Sequence, residues 1–210
     1  MKTEDLISVL AADTMPGPSV ARQLVRAMPL ALGVSLGAFA LWWGPRPDIG
    51  AALASLALLK TLVPLALVLV ALLLALALVH PGRAQRGHAA ALGVLVGLVV
   101  LAFLAALLRE GGAGLARVLS DPSLVTCLAS VPVLGLPLLA AMMRGLSSGA
   151  ALRPRLAGAA AGLVAGGGAA AIYSLHCDRD IALFVLPAYS AAIALVMLAG
   201  ALLGPRLLRW

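Results

Sequence analysis

The sequence predicts an all-α fold: a polytopic membrane protein, one bundle of six transmembrane helices with the N and C termini both cytoplasmic. Three observations predict it. Of the 210 residues, 63% are hydrophobic and 11% are charged. The mean hydropathy is +1.10, whereas an average soluble domain carries roughly 45–50% apolar and about 25% charged residues. Charge this sparse cannot cover a water-facing surface, which excludes a soluble globular enzyme, a disordered regulator and a free nucleic-acid binder. The apolar residues gather into six runs of spanning length, and the basic residues concentrate in alternate loops between them.

A hydrocarbon core of ~30 Å takes about 20 residues of helix. The first run covers 27–43, between Arg26 and the turn Gly44-Pro45-Arg46-Pro47-Asp48. The second covers 50–79 and carries one internal charge, Lys60, about a third of the way in from the outer face. Its long stem can snorkel outward, so a structural role is favoured over an internal polar contact or a gating role. The remaining runs are 89–108, 124–143, 156–175 and 182–203. Connections rich in Pro, Gly and charge separate them: His80-Pro81-Gly82-Arg83, Arg109-Glu110-Gly111-Gly112, Arg153-Pro154-Arg155 and Asp178-Arg179-Asp180.

Charge then assigns the sides. One set of segments holds Lys2, Arg22, Arg26, Arg83, Arg86, Arg144, Arg153, Arg155, Arg206 and Arg209, ten basic residues in all. The opposite set holds four: Arg46, Arg109, Arg117 and Arg179. The positive-inside rule places the first set, with both termini, in the cytoplasm. The net charge of +7 is thereby explained by topology and anionic lipid, without nucleic acid as a direct partner. Small-residue pairs at four-residue spacing (Gly33/Gly37, Gly93/Gly97, Gly158/Gly162/Gly166, Gly200/Gly204) are read as packing between helices of one chain.

The first 26 residues form a separate cytoplasmic segment, ahead of a transmembrane domain covering 27–210. They lack a short apolar stretch ending at a small-residue cleavage site, so no cleavable signal peptide is expected. Thr3 with Glu4 and Asp5 suits a helix start, and Leu6, Ile7, Val9 and Leu10 make a short apolar face ending near Asp13. Met15-Pro16-Gly17-Pro18 interrupts it before helix resumes toward Arg22 and Arg26. An interfacial helix is one reading. Three acidic residues against Lys2 alone suit anionic lipid poorly and favour a basic protein partner with an apolar groove.

No carboxylate pair lies inside a span, no P-loop, dinucleotide fingerprint, zinc-protease motif or nucleophile elbow is present, and no enzyme is expected. The two cysteines carry more information. Cys127 lies near the outer end of the fourth span and Cys177 in the fifth-to-sixth loop, beside His176. They can be a structural disulfide or inert thiols in an oxidising compartment. Alternatively they form a redox or soft-metal sensing site with His176 as a nitrogen ligand. Spacing leaves these open, no cofactor is obligatory, and the donors are fewer than a closed zinc site needs.

Strings along the chain resemble one family. Met1-Lys2-Thr3-Glu4-Asp5-Leu6-Ile7 with Leu10-Ala11-Ala12-Asp13 is similar to the amino terminus of the NrsF family, six-helix bacterial membrane proteins. So are Trp42-Trp43-Gly44-Pro45-Arg46-Pro47-Asp48, Lys60 with Pro64, and Pro81-Gly82. The carboxy-terminal part is similar too: Tyr173-Ser174-Leu175-His176-Cys177, Leu183-Phe184-Val185, Gly200-Ala201-Leu202-Leu203-Gly204 and Leu207-Leu208-Arg209-Trp210. The resemblance implies an anti-sigma factor that regulates an extracytoplasmic-function sigma factor negatively. Its cytoplasmic segment would hold that partner through Glu4, Asp5, Leu6, Ile7, Val9, Leu10 and Asp13. It also implies that Cys127 and Cys177 are the family's cysteine pair, implicated in sensing heavy-metal or oxidative stress. The chain departs from the family's frequent Trp-Tyr with Pro187-Ala188-Tyr189. The competing class is a small metal or metabolite permease, with Cys127, His176 and Cys177 at its mouth. A thiol oxidoreductase ranks last, since no Cys-x-x-Cys pair exists.

Overall fold

The computed structural model describes residues 3–12 and 19–209. Its helices are α1 (Thr3–Ala12), α2 (Val20–Trp42), α3 (Ile49–Leu53), α4 (Leu59–Leu78), α5 (Arg86–Leu119), α6 (Ser123–Leu146), α7 (Pro154–Tyr173) and α8 (Ala182–Leu207), with a 3-10 turn at Leu56–Leu58 before α4. No strand occurs among the described residues. Six helices are long and apolar enough to cross a membrane.

Local chemistry sets the helix starts. Ser19 caps α2 by accepting the Arg22 N–H at 3.3 Å. The Asp121 carboxylate accepts the Ser123 N–H at 2.9 Å where α6 begins. Pro154 opens α7, where its fixed φ fits and its missing N–H goes unused.

Packing centres on α7. Of its most apolar stretch 78% is buried, against none of the corresponding stretch of α5, which lies at the edge of the bundle. The Ala- and Gly-rich sequence of α7 permits this, because α8 approaches at backbone distance. A Cβ on Gly158 would run into the Gly200 carbonyl, and one on Gly204 into the Pro154 carbonyl. Lacking side chains, these glycines let the two backbones touch, the arrangement that holds helices together where lipid supplies no hydrophobic drive. The other two stripes behave differently. Among the described residues, nothing lies within 4 Å of where a Cβ on Gly33, Gly37, Gly93 or Gly97 would sit, which corrects the expectation that they pack within the chain.

Two spans differ from expectation. Residues 50–79 are not one helix: α3 ends at Leu53, and the Ser55 hydroxyl accepts the Ala57 N–H before α4 begins at Leu59. Hydropathy alone misses this break because Ala and Leu continue through it. Lys60 therefore sits in the first turn of α4, not a third of the way along a span. The third run, expected over 89–108, begins at Arg86, and its helix breaks at Gly111 (φ 67°, ψ −174°), inside the connection expected at 109–112; the difference is that helix resumes beyond it to Leu119. That backbone conformation is essentially glycine's alone.

The chain enters α2 at one end of the bundle, where Leu24 meets Gly145 and Val79 meets Gly149. The opposite end is closed by the α2–α3 and α7–α8 connections, joined by Arg46 N–H to Leu175 C=O at 2.9 Å.

Candidate functional site

This second end carries the densest polar cluster among the described residues. Gly44, at φ 67°, turns the chain sharply after α2. The turn is fixed by the Trp43 indole N–H donating to Ser130 Oγ at 3.0 Å, and by Gly44 O paired with His176 Nδ1 at 3.0 Å. Arg46 then points inward, with only 6% of its side chain exposed. Its Nε and Nη2 donate to the two Asp48 oxygens at 2.7 and 2.8 Å. Its Nη1 donates to Asp180 Oδ1 and Oδ2 at 3.0 and 3.1 Å, and to the Cys177 carbonyl at 3.2 Å. Lys60 converges on the same two groups: its ammonium donates to Asp180 Oδ1 at 2.6 Å and to the Cys177 carbonyl.

These partners explain the charge states. The guanidinium of Arg46 is pushed above its ordinary pKa by its hydrogen bonds to Asp48 and then Asp180, against the effect of burial. The Arg46 hydrogen bonds hold the Asp48 carboxyl below the usual range. For Asp180, burial pushes the pKa up, but hydrogen bonds from Arg46 and Lys60, with their charges, outweigh it and leave the carboxyl low. Nearby, Arg179 pairs with Asp121 at 3.3 Å.

Cys127 and Cys177 are both free thiols and both buried. They belong to one apolar cluster with Tyr173, Leu183 and Tyr189. They are not equivalent. Cys177 lines a cleft of about 410 Å³ with Trp43, Arg46, His176 and Arg179, whereas Cys127 does not reach it. The Tyr189 hydroxyl is buried within the bundle beside the Cys177 side chain.

The structure thus brings the two thiols and Lys60 to one end, but does not gather His176 with the thiols as metal ligands. Its Nδ1 is engaged by Gly44, and no group of three or more His, Cys, Asp or Glu among the described residues could hold a metal ion. Glu4, Asp5 and Ile7 are exposed on α1. The side chains of Leu6, Val9 and Leu10, and all of Asp13, lie outside the described residues, as does the interruption at 15–18. Sequence reasoning missed Arg46 and Asp180. The available signal was charge matching: a lone span cation and the acidic residues of a loop assigned to the same side.

Fold and site together define a class: an all-helical bundle of six helices able to cross a membrane, with two free thiols beneath a polar cap at one end. Residues 10–210 match the family described as "Negative regulator of sigma F". The chain is 33% identical to the anti-sigma-F factor NrsF of Caulobacter vibrioides, over the full length of both. It is 32% identical to the probable anti-sigma-F factor NrsF of Azospira oryzae, again over both full lengths. The chain belongs to the NrsF family. No solved structure matches.

Proposed function

We propose that this chain is an anti-sigma factor of the bacterial inner membrane, holding an extracytoplasmic-function sigma factor through residues 1–26 and releasing it when Cys127 and Cys177 react. The observation that carries the reading is a separation: the thiols share one buried cluster at one end, while the amino-terminal segment enters the bundle at the other. The charge balance supports a cytoplasmic position for that segment, with ten basic residues on its side against four. The thiols then face the oxidising compartment.

In this reading α1 presents Glu4, Asp5 and Ile7, with Leu6, Val9, Leu10 and Asp13 completing the contact. Signal must cross one helix length, about 30 Å for 20 residues. Reaction of the thiols with an oxidant or a soft cation favours one arrangement of α6 against the α7–α8 loop, and the partner favours the other. A tenfold loss of affinity needs ~1.4 kcal/mol of such coupling.

The test is co-purification from the native host in mild detergent, comparing the full chain with a version lacking residues 1–13. A sigma factor retained by the first and lost from the second is the expected result. Failure to retain one under unstressed, reducing conditions overturns the reading. Replacing both cysteines by Ser should leave retention intact and abolish stress-induced release; release that persists removes the thiols from the mechanism.

A further inference from the structure

The α7–α8 connection is short, and its centre is Cys177. The carbonyl of that residue accepts from two cations delivered by different parts of the chain, Arg46 from the α2–α3 connection and Lys60 from the first turn of α4. The same two cations clamp Asp180, three residues further on. Both are almost fully buried, with 6% of each side chain exposed. A carbonyl holding two charged donors, with a carboxylate beside it holding the same two, leaves the Cys177 backbone little freedom. Its thiol is kept in the apolar cluster beneath the cap, 7% exposed at the edge of the cleft.

We infer that Arg46, Lys60 and Asp180 are positioning residues for the Cys177 thiol: an ion-pair latch that holds the α7–α8 connection shut and sets how readily reagents reach the sulfur. The inference rests on the reading of the thiols as the responding group, but it concerns access and is tested on the sulfur itself. Removing Asp180's charge leaves buried Lys60 without its carboxylate and Arg46 with Asp48 alone. A buried cation left unpaired moves toward water, and the connection it holds moves with it. Opening of this kind is local, so it exposes Cys177 without unfolding the α7–α8 seam.

The experiment uses the full chain in native membranes, in a Cys127→Ser background so that Cys177 alone reports. The second-order rate of its modification by an uncharged maleimide is measured for the parent, Asp180→Asn and Asp180→Glu. Asp180→Asn should react at least about tenfold faster, as expected if the closed state is locally destabilised. Asp180→Glu, which keeps the carboxylate, should stay near the parent rate, an outcome a mere loss of packing would not give. If Asp180→Asn does not accumulate in the membrane, the double variant Lys60→Met/Asp180→Asn leaves no cation unpaired, since Arg46 keeps Asp48; it still loses the Lys60 and Asp180 contacts and should accelerate the reaction, by less than Asp180→Asn. Equal rates in a folded variant and the parent overturn the latch. With Cys127 restored, a latch variant whose thiol reacts fast while its sigma factor stays bound under oxidant upholds the latch and overturns the sensing role of the thiols.

Discussion

The two ends of the bundle carry charge in different ways. At the Cys177 end, Arg46, Lys60 and Arg179 all face carboxylates within 4 Å. At the other end Arg153, Arg155 and Arg209 surround a cleft of about 360 Å³ with Pro154 and Pro205, and none of the three makes an ion pair among the described residues. The first set holds the chain to itself. The second makes no such pair among the described residues, which suits the cytoplasmic, headgroup-facing side proposed for this end. Equal charges therefore do not carry equal structural weight; burial and a fixed partner decide.

The largest effect is expected between the ends, in the seam that carries both. Gly200→Val drives a branched side chain into the Gly158 carbonyl. It should destabilise the bundle by about 3 kcal/mol or prevent its accumulation, read by thermal unfolding in detergent. Next comes the latch. Lys60→Ala leaves the Cys177 carbonyl and Asp180 each short of one charged donor and should cost roughly 1–3 kcal/mol in the same assay. Smallest is the other end, where Arg155→Gln should shift stability by no more than about 0.5 kcal/mol. A larger effect from Arg155 than from Lys60 breaks the comparison.

Acid sharpens it. Asp180 and Asp48 titrate below the usual carboxylate range. Their contribution is thus fully present above the unfolded value of about 3.9 and is lost only as pH falls through the lower folded values. Between pH 7 and pH 5 the maleimide rate of Cys177, corrected for thiolate fraction, should not change through the latch. An opening centred near pH 5 contradicts the ion pairs described here. Salt should weaken the Asp180 contacts modestly, since 39% of that side chain is exposed.

The six long helices were legible because each carries enough consecutive apolar residues to announce itself, whatever it packs against. The seam was legible as well: Gly158, Gly162 and Gly200, Gly204 form stripes, and only close approach makes use of them. Yet Gly33/Gly37 and Gly93/Gly97 share that spacing and meet no neighbour among the described residues, because spacing specifies a face but not its neighbour. Lys60 stood out as a charge in an apolar run, but its position was misjudged. The break at 54–58 is made by one serine hydroxyl, which a hydropathy window averages away. Arg46 and Asp180 looked like ordinary loop residues. Their contact spans 134 positions of sequence, and nothing local to either marks it.

That separation also bears on how the protein is made. Lys60 leaves the ribosome 120 residues before Asp180, and Arg46 leaves 134 residues before it. At about 5–20 residues per second, Lys60 waits roughly 6–24 s for its carboxylate. Arg46 has Asp48 beside it from the start, whereas Lys60 meets its carboxylate only when the α7–α8 hairpin arrives with Asp180. A nascent chain halted before residue 180 is thus left with Lys60 awaiting its carboxylate and Arg46 holding one of its two.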